Sequence, residues 1–181
     1  MSEPKDDEIK RSLQATDGLY FRLVLLVGET GSGKTGVLRE VAEKFGSSVI
    51  NVNLALSGKL LELTAKQRPV RLPRIFAHIA DEAQSPLVLD NLEILFDRNL
   101  KQDPLRLLQG ISRNRAVVAS WNGTMKSGRL FYAETGHPEY RSYDSVDALI
   151  VQMDNPDKVD SVRAPSAVDM VAQRATADRA G

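Results

Sequence analysis

The sequence predicts an α/β fold in which helices flank a mainly parallel sheet of five strands. Three observations predict it. Short apolar runs alternate along the chain with stretches of helical spacing. One run, Leu23 to Val27, leads into a glycine-rich turn and then an amphipathic segment. Another, Leu87-Val88-Leu89, ends in Asp90. With 181 residues, 42% of them hydrophobic, the chain has room for one ordinary domain and a tail.

Residues 1–17 are polar and read as an N-terminal arm, before a domain over residues 18–153. Tyr20 to Val27 is the first strand, buried on both faces. After the turn, Val37, Leu38, Val41, Ala42 and Phe45 mark a helix capped by Gly46. Ser48 to Leu54 alternates as a second strand, and Ser57 caps a short helix through Leu63. Gln67-Arg68-Pro69 breaks that helix, and Pro73 opens the next, with Ile75, Phe76, Ile79 and Ala80 on its buried stripe. Pro86 to Leu89 is the third strand, Pro104 to Ile111 a helix, and Ala116 to Ser120 the fourth strand. Gly123 to Tyr143 reads mainly as a long functional loop, and Ala148 to Met153 as the fifth strand. Residues 154–181 form a tail, flexible or partly helical, with Ser166 to Arg179 its amphipathic part.

Composition narrows the function. The 24 basic and 24 acidic residues cancel, which disfavours coating nucleic acid by bulk charge. No cysteine is present, so a disulfide scaffold, a thiol nucleophile and a thiolate zinc site are excluded. The acidic start Met1 to Glu8 lacks the apolar run of a signal peptide, and a cytoplasmic protein without membrane contact is expected.

Gly28-Glu29-Thr30-Gly31-Ser32-Gly33-Lys34-Thr35 spells G-x-x-x-x-G-K-[ST], the phosphate-binding (Walker A) loop of P-loop NTPases, between a strand and a helix as that loop requires. Glycines let backbone N–H groups turn around an anion, and the helix dipole adds positive potential. Lys34 would neutralise the β and γ oxygens of ATP, and the Thr35 hydroxyl would ligate Mg²⁺. Asp90, at the C-terminal end of an apolar strand, suits the Walker B role of holding that metal through water; a turn aspartate is the alternative.

Asn91 occupies the slot where many AAA+ ATPases carry the catalytic glutamate. Glu93, two residues on, is either the general base or a solvated loop carboxylate. Asn122 or Ser120 would be the polar sensor of the γ-phosphate, with Trp121 a packing residue. Arg141 stands where AAA+ proteins often carry an arginine finger that enters a neighbour's site; an ion-paired arginine is the alternative. A homo-oligomer is expected on that account. Arg113 to Lys126 is a candidate DNA-binding region. His78 and His137 are assigned no chemistry.

Longer strings carry a more specific likeness. Ile50 to Leu54, Leu60 to Thr64, Asp90 to Asp97, Lys101 to Leu108, Ser112 to Arg115, Trp121-Asn122-Gly123 and Gly136 to Arg141 resemble the BrxF family, the small P-loop proteins of third-subtype bacteriophage-exclusion (BREX) defence systems. The resemblance covers about Leu23 to Met153. It implies an AAA+/ASCE-like ATPase core working beside a large ATPase, an adenine-specific DNA methyltransferase, a phosphatase-like protein and a helicase. Too few residues follow the fifth strand for a full helical lid. Two other readings stand beside the ATPase: a nucleotide-gated scaffold with negligible turnover, and a small-molecule P-loop kinase, for which no arginine-bearing lid is evident in the sequence.

Overall fold

The computed structural model describes residues 3–133 and 136–154. The expected tail over 154–181, with its helix at Ser166 to Arg179, lies outside the described residues beyond Asp154. In chain order the elements are α1 (Lys5–Ala15), β1 (Leu23–Gly28), α2 (Lys34–Phe45), β2 (Val49–Asn51), α3 (Val52–Leu61), α4 (Gln67–Glu82), β3 (Leu87–Asp90), α5 (Pro104–Ile111), β4 (Val117–Lys126), β5 (Arg129–Tyr132), β6 (Arg141–Tyr143) and β7 (Leu149–Gln152). Two 3₁₀ turns, Glu93–Phe96 and Arg98–Leu100, link β3 to α5.

Five strands run parallel in the order β2-β3-β4-β1-β7. β4 thus stands between β1, which leads into the glycine loop, and β3, which delivers Asp90. That is the additional-strand order of an ASCE-like sheet. β5 and β6 extend the sheet antiparallel from the far half of β4. The described residues end at Asp154, two positions after β7.

Each strand feeds two cores, because successive side chains point to opposite faces. Leu23, Leu25 and Val27 meet Leu87, Leu89, Val117 and Ala119 on the face covered by α3, α4 and α5. Val24 and Leu26 join Val88, Val118 and Val151 on the face covered by α1 and α2. The continuous apolar run of β1 is therefore needed on both sides.

Five local expectations are corrected. The arm expected over residues 1–17 is helical from Lys5 to Ala15, burying Ile9 and Leu13 against the second core. Burial of two such side chains is worth about 1.5–3 kcal/mol each, and the Asp6 carboxylate pairs with Lys44 of α2. The second strand stops at Asn51, whose side chain accepts the Leu54 N–H at 3.1 Å and so starts α3 at the very next residue, leaving a strand only Val49–Asn51 long. Ser57 is inside that helix and its hydroxyl donates to the Asn53 carbonyl.

Pro69 and Pro73 do not bound the fourth helix; they lie within it. Pro69 sits in the first turn, where its missing N–H has no helical partner to lose. Pro73 removes the bond that the Pro69 carbonyl would accept. Gln102 Nε2 supplies the replacement, donating to Pro69 O at 2.8 Å.

The expected loop over Gly123 to Tyr143 is largely sheet: β4 runs six residues beyond Ser120, and a two-residue turn returns the chain along β5. Ser127 and Gly128 both have positive φ, 51° and 78°, the geometry that matches the twist of a tight hairpin. Its inner face is aromatic. Phe96, Trp121 and Tyr132 pack together, with Tyr132 stacked on Phe96 at 3.4 Å between centroids and Tyr143 edge-on to Trp121.

Candidate nucleotide and metal site

The site forms where β1 and β3 end beside the middle of β4. Gly28 pairs with Asn122 in register, so the glycine loop and the end of the β4 core lie side by side. Gly33 has φ of 96°, a conformation that favours glycine, and passes the chain directly into α2. Lys34 then begins the helix with its side chain folded back over the loop. Its ammonium donates to Gly28 O at 2.8 Å, to Glu29 O at 2.7 Å and to Ser32 Oγ at 3.3 Å. Burial lowers the Lys34 pKa from its ordinary value, while Asp90, Glu93 and Glu29 oppose that shift. A buried cation faced by three carboxylates is poised to exchange loop carbonyls for phosphate oxygens.

Asp90 is buried, and each carboxylate oxygen accepts one hydroxyl. Thr35 Oγ1 donates to Oδ2 and Ser120 Oγ to Oδ1, both at 2.7 Å. With its proton committed to Asp90, the Thr35 oxygen keeps lone pairs for a hard cation, which suits Mg²⁺. Thr35 would be the direct protein ligand and Asp90 would act through water. The ion would neutralise phosphate charge when bound.

Asn91 takes φ of 54°, the left-handed conformation that asparagine tolerates better than glutamate does. That turn redirects the chain so that Glu93, two residues on, returns to the middle of β4. Glu93 Oε1 accepts from Asn122 Nδ2 at 2.5 Å, and Oε2 accepts from Asn53 Nδ2 at 2.9 Å. Sequence reading placed Asn53 in a strand and gave it no role. Its backbone N–H also donates to Asn91 O at 3.0 Å. The missed signal is Asn51, a capping residue immediately before the apolar start of α3.

The structure thus brings together residues 28–35, Asp90, Glu93, Ser120 and Asn122. Arg141 lies elsewhere, on β6, where its guanidinium donates to Gln102 O at 2.9 Å. The other arginines are dispersed. Arg113 lies over the Tyr20 ring at 4.7 Å, Arg115 pairs with Asp81, and Arg129 pairs with Asp144 at 2.8 Å. Arg113 and Arg115 precede β4 and Lys126 ends it, a separation of about 30 Å along a ten-residue strand. They do not form one patch. Among the described residues no helix is long and apolar enough to cross a membrane.

A parallel sheet with β4 between β1 and β3, a glycine loop at a helix N-terminus and a Thr–Asp pair beneath it define a P-loop NTPase domain that binds nucleotide. The chain belongs to the AAA family, the ATPase family associated with various cellular activities, which it matches over residues 24–117. It is also similar to tRNA dimethylallyltransferase of Janthinobacterium sp. (strain Marseille), 32% identical over 57% of this chain and 31% of that protein. A tRNA dimethylallyltransferase of Citrifermentans bemidjiense is 27% identical over 70% of this chain and 42% of its own length. The chain therefore spans less than half of these two relatives. Cytidylate kinase of Methanocella arvoryzae is 30% identical over 70% of each chain.

Proposed function

We propose that this protein is a Mg²⁺-dependent ATPase whose nucleotide state controls the assembly or action of a BREX-type anti-phage complex. The observation that carries the ATPase reading is a pair of separately positioned carboxylates. Asp90 accepts from Thr35 and Ser120 beside the phosphate loop, and Glu93 is aimed by Asn53 of α3 and Asn122 of β4. Lys34 and the loop N–H groups bind phosphate, and Thr35 holds the metal. Asn122 senses the γ-phosphate. Glu93 takes the proton of the attacking water on a lone pair that its two amide partners leave free. Arg141, offered by a neighbouring copy, stabilises the developing charge. The defence setting and its partners, the large ATPase, methyltransferase, phosphatase-like protein and helicase, rest on the BrxF resemblance.

The test is ATP turnover per protomer across a range of protein concentrations, with Lys34→Ala as the blank. Specific activity that climbs with concentration and is lost in Arg141→Ala supports shared sites. Turnover at the blank's level throughout, with ATP binding intact, replaces the ATPase by the nucleotide-gated scaffold. Similarity to a cytidylate kinase favours one further reading, phosphoryl transfer to a small acceptor. ADP formation that depends on an added acceptor would establish it.

A further inference from the structure

A cavity of about 700 Å³ opens beside the phosphate loop, a size typical of small-ligand sites. Glu29 and Thr30 of the loop form one side. The opposite side is one face of the β4–β5–β6 ribbon, and strand alternation composes it. Asn122, Thr124 and Lys126 follow at two-residue intervals on β4, and Phe131 stands opposite Thr124. Tyr140 comes two residues before Ser142, which pairs with Phe131, so it reaches the same face. Leu130 and Tyr132 alternate with these residues and are buried in the aromatic core.

The ribbon therefore has an inner face that packs and an outer face that does not need aromatics for folding. Phe131 and Tyr140 are on the outer face, half-buried, with centroids 6.3 Å apart and planes inclined by 29°. Neither belongs to the hydrophobic core. Lys126 at the rim is in no ion pair among the described residues. Aromatic rings flanked by an amide, a hydroxyl and a lysine suit a planar heterocycle that carries a phosphate.

We propose that this cavity is a nucleobase subsite, separate from the position of ATP, which binds an unpaired base with its phosphate. The base stacks on Phe131 and Tyr140, its edge meets Asn122 and Thr124, and its phosphate lies toward Lys126. Such a base is found in a free nucleotide or in a single strand of nucleic acid. The site also reports to the nucleotide. Asn122 lines the cavity and donates to Glu93, so an occupant that engages the amide alters the hold on Glu93.

The proposal rests on residues 28–35 being the nucleotide loop, so the test keeps that loop filled with ADP and Mg²⁺. Anisotropy of a fluorescein-labelled oligothymidylate, the matching duplex, and calorimetry with CMP and AMP are compared on the full chain. An unpaired ligand is expected to bind with ADP present, and Phe131→Leu or Tyr140→Leu to weaken it about tenfold. Phe131→Trp, which keeps a stacking surface, should retain affinity. Binding of the strand alone, with a salt dependence reduced in Lys126→Ala, assigns the site to single-stranded nucleic acid. Binding of CMP or AMP alone assigns it to a free nucleotide.

Equal affinity for duplex, competition by ADP, or indifference to both Leu substitutions overturns the proposal, as does no binding by any unpaired ligand. A titration of ADP and Mg²⁺ alone separates the two readings: ADP that does not bind counts against the nucleotide loop, and ADP that binds while no unpaired ligand does counts against the base subsite.

Discussion

Asn53 holds Glu93 from both sides of one peptide link. Its Nδ2 donates to Glu93 Oε2 at 2.9 Å, and its Oδ1 accepts the Ile94 N–H at 2.8 Å. Asn122 takes the remaining carboxylate oxygen. Amide donors on both oxygens fix the position of the carboxylate. Glu93 in this arrangement is aimed but restrained.

On the proposed role of Glu93, Glu93→Gln lowers kcat for ATP by about 10²- to 10⁴-fold while ATP affinity is kept. Asn53→Ala strands the Ile94 N–H and one Glu93 oxygen and should cost about 1–3 kcal/mol of stability. Steady-state turnover with a binding titration checks the first, and urea denaturation the second. Unchanged kcat in Glu93→Gln would move the base elsewhere.

Gly123→Ala should break the ribbon. A Cβ there would stand 1.8 Å from the Phe131 carbonyl oxygen, which also accepts the Trp121 indole N–H at 3.1 Å. The strands must separate, costing at least about 1–3 kcal/mol. Trp121 is the chain's one tryptophan, so its emission reads the change directly, with a shift to longer wavelength.

Gln102→Ala leaves the Pro69 and Leu100 carbonyls without the donor they now share. The expected loss is about 1–2 kcal/mol, or a melting temperature lower by about 2–8 °C. Gln102→Glu should do no better, because a carboxylate cannot donate. Differential scanning fluorimetry distinguishes this from a neutral surface change.

Acid should undock α1. Lys44 beside Asp6 holds that carboxyl below its ordinary range, chiefly through their hydrogen bond. A depressed native pKa contributes stability that is full above the unfolded value of about 3.9 and is lost as pH falls through the native one. Amide-exchange protection over Lys5–Ala15, relative to the intrinsic rate, should therefore fall below about pH 4, and Asp6→Asn should show that reduced protection already at neutral pH. Exchange that stays slow in Asp6→Asn would leave the docking to Ile9 and Leu13 alone.

The elements legible in the sequence are those whose local chemistry is self-sufficient. β1 and β3 are apolar on both faces, α2 ends at a left-handed Gly46, and α5 starts at Pro104 behind the Asp103 cap, whose side chain accepts the Arg106 N–H. The phosphate loop and Asp90 were legible for the same reason. The misread segments depend on partners far along the chain. α1 has only Ile9 and Leu13 to bury and needs Lys44 as well as a sheet face. α4 keeps Pro73 because Gln102 replaces the lost donor. β5 and β6 exist because β4 continues past Ser120, although the Ser127-Gly128 turn was a readable hairpin signal.

By itself the sequence determined the nucleotide loop, the alternation of strand and helix and the acidic strand end, because each is encoded within a few adjacent residues. Only the tertiary structure decided that Asn53, 40 positions before Glu93, grips that carboxylate, and that Arg141 rests on Gln102. It also decided that the outer face of the ribbon faces the loop across a cavity. Those relationships join residues from different strands and helices, and their distances are set by how the sheet is ordered and packed.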